Sequence, residues 1–135
     1  MGNEFVIFKG EKYYINLKEL KLNDLSITNI NDIQGLDKLK KLQGLSLSNN
    51  KIKKIQGLEN LTNLKRLSLE NNKISDIEGL DNLKKLQSLN LNKNEIGEIK
   101  NLDKLINLKV LYLNYNQIAR IKGLDKLVNL QDLYL

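Results

Sequence analysis

What most constrains the fold of this chain is an asparagine that recurs every 22 residues, at Asn50, Asn72, Asn94 and Asn116. The apolar positions around it keep the same interval. Ahead of each asparagine stand three leucine columns: Leu42, Leu64, Leu86 and Leu108; Leu45, Leu67, Leu89 and Leu111; Leu47, Leu69, Leu91 and Leu113. Behind it come Ile52, Ile74, Ile96 and Ile118, then Ile55, Ile77, Ile99 and Ile121. Two leucine columns close the unit, at Leu58, Leu80, Leu102 and Leu124 and at Leu61, Leu83, Leu105 and Leu127. The unit reads LxxLxLxxNxIxxIxGLxxLxx, and it starts again at Leu130. A fixed period of this length is the signature of stacked structural repeats.

Each unit has two parts. The LxLxx segment alternates apolar and polar residues, the pattern of a strand with one buried face. The remainder places an apolar residue at every third position, which suits extended and 3₁₀-like turns and is too interrupted for a long helix. One unit cannot bury its leucines alone, but stacked units can, with strands roughly 4.8 Å apart in a parallel sheet.

The asparagine fits this plan. After the strand the chain must bend back over the core, and the bend leaves backbone N–H and C=O groups facing inward, where an unpaired group is costly. A side-chain amide carries donors and an acceptor together. Stacked copies predict a ladder that satisfies both the bends and the amides.

The N-terminal unit departs from the pattern. Leu17, Leu20 and Leu22 occupy its three leucine columns, and Leu25 stands where the asparagine would be. Three extra residues lie around Ile27–Ile33. Terminal repeats of a solenoid are commonly atypical. Ahead of it, FVIF and YYINL flank KGEK, two short apolar runs around a glycine-containing turn, which predict a β-hairpin cap over residues 4–16. The expected division is one domain over 1–135: the cap, a first repeat at 17–41, regular repeats at 42–63, 64–85, 86–107 and 108–129, and an incomplete one at 130–135. The strand at 130–135 would have an open edge, a place where sheets associate. Of three readings, a fragment of a longer protein, a minimal solenoid or edge-to-edge pairing of two copies, the expectation is a fragment or domain of something larger, with pairing through this edge as a consequence.

Composition narrows the chemistry. The 135 residues include no His, Cys, Pro or Trp. The commonest general base and metal ligand is therefore missing, as is any thiolate. No Gly-rich phosphate loop or Asp-rich metal loop occurs. Gly35, Gly57, Gly79 and Gly123 belong to the repeat turn, and Glu95 and Glu98 read as solvated turn residues. The expectation is a non-enzyme with no metal, cofactor or small-molecule substrate. The net charge of +6 raises nucleic acid or anionic lipid as a partner, but lysines and acids alternate along the chain, with no run of five like charges. The start MGNEFVIFKGEKYY lacks a basic region followed by a long apolar run, so the expected location is the cytoplasm.

With these columns in hand, the sequence resembles leucine-rich-repeat proteins of the 22-residue class. It is similar to the leucine-rich regulatory subunit of protein phosphatase-1 and to the bacterial internalins, over roughly Leu17 to Leu135. The resemblance implies an α/β repeat fold. That fold is a right-handed solenoid with a parallel sheet on its concave face, short 3₁₀ or helical turns on its convex face, and an N-terminal hairpin. It also implies that the concave face holds another protein. Internalins are exported, and the lack of a visible signal points to the intracellular subclass.

The concave face can be read from the strand columns. The residue between the strand leucines is Lys21, Ser46, Ser68, Asn90, Tyr112 and Tyr134 in turn. The column before is Glu19, Gly44, Arg66, Ser88, Val110 and Asp132. The C-terminal half gathers Val110, Tyr112, Tyr115 and Tyr134, and tyrosine and arginine are the residues that most often carry interface energy. Arg66, Glu70 and Lys93 would form a polar rim. The expected function is non-catalytic protein binding or scaffolding. The alternatives are targeting of an enzyme such as a phosphatase or GTPase, and a basic surface for nucleic acid or anionic lipid.

Overall fold

A computed structural model describes residues 3–135. Six three-residue strands form one parallel sheet in sequence order: β3 (Glu19–Lys21), β4 (Gly44–Ser46), β5 (Arg66–Ser68), β6 (Ser88–Asn90), β7 (Val110–Tyr112) and β8 (Asp132–Tyr134). They are preceded by an antiparallel hairpin, β1 (Phe5–Phe8) and β2 (Glu11–Tyr14). The register of the sheet is uniform. Leu20, Leu45, Leu67, Leu89, Leu111 and Leu133 stand side by side across it, so every coil turns the same column inward.

The leucine and isoleucine columns of the central coils are completely buried. On the side away from the sheet, each LxxL pair closes a single 3₁₀-type turn, as in Leu61 N–H to Leu58 O at 3.0 Å and Leu83 N–H to Leu80 O at 2.9 Å. Continuous 3₁₀ segments occur in the first coil, at Ile30–Asp32 and Leu36–Lys38. The turn glycines are there for close approach. Gly79 has φ +70°, and a Cβ on it would press into the carbonyl oxygen of Ile55 one coil back. Asn101 takes the same place in the next coil at φ 59° and donates from Nδ2 to the equivalent carbonyl, Ile77 O, at 2.8 Å. Asparagine tolerates the left-handed region, and here its amide turns a steric conflict into a hydrogen bond.

The asparagine ladder runs through the core. Asn72 Oδ1 accepts from Ile52 N–H of the preceding coil at 3.0 Å. Its Nδ2 donates to Leu47 O of that coil and to Leu69 O of its own, each at 3.0 Å. Asn94 and Asn116 repeat the set one and two coils on. The first coil has Leu25 in place of asparagine, and Asn50 compensates by accepting from both Leu25 N–H and Ile27 N–H at 3.0 Å.

The hairpin turns through Lys9 and Gly10, both at positive φ, the geometry a two-residue hairpin loop requires. Val6 and Phe8 close the core of the first coil. Ile7 bridges to Gln34 through bonds of 3.0 and 2.8 Å, which ties the hairpin to the lengthened first coil.

Two column expectations are corrected. Leu17 is 89% exposed, not a core leucine; it lies at φ 51° in the reversal that links Asn16 to Glu19, and Ile15 packs against the core instead. Ile121 is 58% exposed, because among the described residues no further coil packs over it.

Candidate partner-binding face

The outward side chains of the six strands make two rows across the sheet. One is Glu19, Gly44, Arg66, Ser88, Val110 and Asp132; the other is Lys21, Ser46, Ser68, Asn90, Tyr112 and Tyr134.

In the first row Gly44 separates Glu19 from Arg66. With no side chain in the way, the Arg66 guanidinium and the Glu19 carboxylate meet above it in an ion pair. A Cβ on Gly44 would overlap that carboxylate. Arg66 therefore does not stand free in the rim; it is oriented by Glu19. The column order places these three residues in line, but the reach of two long side chains over a glycine is not readable from spacing.

In the second row Tyr112 and Tyr134 stack, with centroids 4.9 Å apart and planes 8° from parallel. One face of Tyr112 is thus occupied. The other looks along the sheet toward Asn90. That amide does not cover it, being held elsewhere by two bonds: Oδ1 accepts from Asn92 N–H at 3.0 Å, and Nδ2 donates to Glu70 Oε2 at 3.3 Å. Beyond it the side chains shrink to serine. The result is a shallow trough of about 290 Å³ that runs from Lys21 past Arg66, Ser46, Ser68 and Ser88 to Tyr112.

The trough floor carries a hydroxyl chain. Asn23 Oδ1 accepts from Ser48 N–H at 2.9 Å and from Ser46 Oγ at 2.6 Å. The Ser46 and Ser48 hydroxyls lie 3.3 Å apart, and those of Ser48 and Ser68 share a hydrogen bond of 2.8 Å.

The remaining expected site residues sit around this trough. Val110 is half-buried beside Asp132 on the neighbouring strand. Glu70 and Lys93 approach to 3.8 Å. Tyr115 stands apart from the stacked pair. It follows the strand, at φ 58° and 79% exposed, in the turn position held by Asn49, Asn71 and Lys93 in the preceding coils. A tyrosine in that left-handed region carries steric strain that asparagine largely avoids.

Among the described residues no group of His, Cys, Asp or Glu could hold a metal ion, and no helix is long and apolar enough to cross a membrane. The two shifted groups lie off the sheet, in the turns. The hydrogen bond and charge of Lys122 hold the Glu98 carboxyl below its ordinary value, and Asp76 raises Lys100 in the same two ways. Both belong to exposed ion pairs, Lys122–Glu98 at 2.8 Å and Lys100–Asp76 at 3.0 Å.

Residues 40–82, 62–104 and 106–135 match the family described as leucine rich repeats (2 copies), and the chain belongs to the leucine-rich-repeat family. Its repeats are internalin-like. A crystal structure of internalin C2 from Listeria monocytogenes is 34% identical, with a TM-score of 0.78 over 87% of this chain and 50% of that one. Internalin InlF of the same organism is 30% identical, with a TM-score of 0.67 over 87% of this chain and 41% of its own. The functional domain of L. monocytogenes InlJ, described as including a cysteine ladder, is 26% identical with a TM-score of 0.71, over 84% of this chain and 24% of that domain. This chain has no cysteine, and asparagine alone forms its ladder. It spans half or less of the length of these internalin chains. No curated protein matches it.

Proposed function

We propose that this chain is a non-catalytic protein-binding module whose partner docks on the C-terminal half of the parallel-sheet face. The observation that carries this reading is the stacked pair Tyr112–Tyr134, which opens one aromatic face onto the trough. Burial in the core does not account for these rings, since both point away from the leucine columns. A uniform solenoid holds them at fixed spacing, so little side-chain entropy remains to be lost on association. Membership of a family of interaction modules supports the same reading.

The test compares capture by the native chain with capture by a Tyr112→Ala, Tyr115→Ala, Tyr134→Ala variant that retains the far-UV spectrum. A protein bound by the first and lost by the second supports the reading. Equal capture by both moves the site off this face.

A further inference from the structure

The geometry points to the chemistry of the partner: an extended peptide segment with an aromatic side chain two or three residues from an acidic one. This rests on the sheet face being the docking surface.

The slot beside Tyr112 is built for a planar group. The two rings are 4.9 Å apart because they occupy adjacent strands. One strand spacing further on, the open trough is lined by Asn90 as well as Tyr112, and the Asn90 amide is held by Asn92 N–H and Glu70. A ring inserted there continues the stack at the period the sheet already sets, against the open face of Tyr112.

Charge decides between an aromatic ring and a guanidinium. The charged residues lining the trough are Glu19, Lys21 and Arg66; Glu70, which holds the Asn90 amide at its edge, is balanced by Lys93 at 3.8 Å. Glu19 and Arg66 neutralise each other, and Lys21 takes part in no ion pair among the described residues. The trough therefore has a surplus positive charge, in a chain whose net charge is +6. An incoming cation is repelled and an incoming carboxylate is attracted. Arg66 still has unused N–H donors, and Glu19 fixes where they point. Its strand is one away from the slot above Asn90, about 5 Å, and its row is offset from that of Asn90 by two residues along the strand, so an extended chain covers the distance from the slot in two or three residues. A segment lying across the strands thus seats its ring on Tyr112 and its carboxylate on Arg66, with Lys21 further along the same trough.

The test is an NMR titration of the ¹⁵N-labelled chain with the capped peptide Gly-Tyr-Gly-Gly-Glu-Gly at millimolar concentration. The expected result is saturable shifts of the Asn90 side-chain amide, the Tyr112 backbone amide and Arg66 Nε. Replacing the peptide's Glu by Lys should weaken binding by roughly fivefold or more, and replacing its Tyr by Ala should remove the shifts. The same should hold when the native peptide meets a Tyr112→Ala chain whose remaining spectrum is unchanged. No shift at these positions, or equal binding of the charge-reversed peptide, would overturn the assignment. So would a neutral oligosaccharide that shifts the same residues while the peptide does not. Should the peptide fail while the triple tyrosine variant still loses its captured protein, the docking face stands and only this partner chemistry falls.

Discussion

The ring of Tyr112 lies on that of Tyr134, 4.9 Å away and 8° from parallel, and the two residues are register partners on β7 and β8. Parallel strands hold such pairs without any turn to orient them, so the contact contributes to the stability of the C-terminal coils as well as shaping the face. In a double-mutant cycle with Tyr112→Ala and Tyr134→Ala, the coupling energy should be about 0.5–1 kcal/mol. Urea melts of the four proteins measure it; strict additivity would mean that the rings do not pair in solution.

The ladder asparagines should differ in cost along the array. Replacing the buried Asn72 by Leu strands Ile52 N–H inside the core and takes one of two amide donors from each of the Leu47 and Leu69 carbonyls, which keep their bonds from Asn50 and Asn94. The expected loss is about 3 kcal/mol. Asn116 makes the equivalent bonds but is only half-buried, so water can replace part of what is lost. Asn116→Leu should cost about 1–2 kcal/mol. Denaturant midpoints that show equal costs, or a loss below about 1 kcal/mol at Asn72, would refute the ladder as a source of stability.

Tyr115 holds a left-handed turn conformation in a position where Asn49 and Asn71 serve two earlier coils. Tyr115→Asn should raise stability by about 0.5–1 kcal/mol, because asparagine accepts this backbone at lower cost. The same substitution should weaken partner capture. A thermal melt and a capture assay on one variant decide the matter. A gain in stability with no loss of binding would leave the tyrosine without a functional reason.

Stability should be nearly flat across neutral pH. The folded-state value of Glu98 lies below its unfolded one, so its contribution is present above the unfolded value and is lost as pH falls through the folded one. Lys100 is raised, so its contribution is complete below its unfolded value and disappears as pH rises through the folded one. Both hold between about pH 5 and 10, and there is no histidine to titrate in between. Melting temperatures measured across this range should show no step. A transition between about pH 6 and 8 would require a perturbed group on which neither pair bears.

Much of this architecture was legible because the repeat ties each residue to a column, and a column to a direction. The leucines of β4 through β7 and the outward row from Lys21 to Tyr134 follow from spacing alone. What failed lies where a column loses its neighbour. Leu17 precedes the first strand in a tight reversal, and Ile121 belongs to the last full coil, so the same letters that are core elsewhere are exposed there. At the face, adjacency was readable and side-chain reach was not. That Glu19 and Arg66 meet over Gly44, and that Asn90 folds away from Tyr112, are rotamer outcomes set by hydrogen bonds between coils. Tyr115 has the spacing of a face residue but the backbone of a turn.

Where the partner sits is read by placing a photo-crosslinking phenylalanine analogue in turn at positions 112 and 128 and irradiating each chain with its captured protein. Position 112 looks into the trough, whereas Val128 is 79% exposed in the turn that precedes β8. Docking on the sheet face gives a covalent adduct from position 112 and none from position 128. An adduct from position 128 alone would place the partner on the turns and contradict the sheet face as the binding surface.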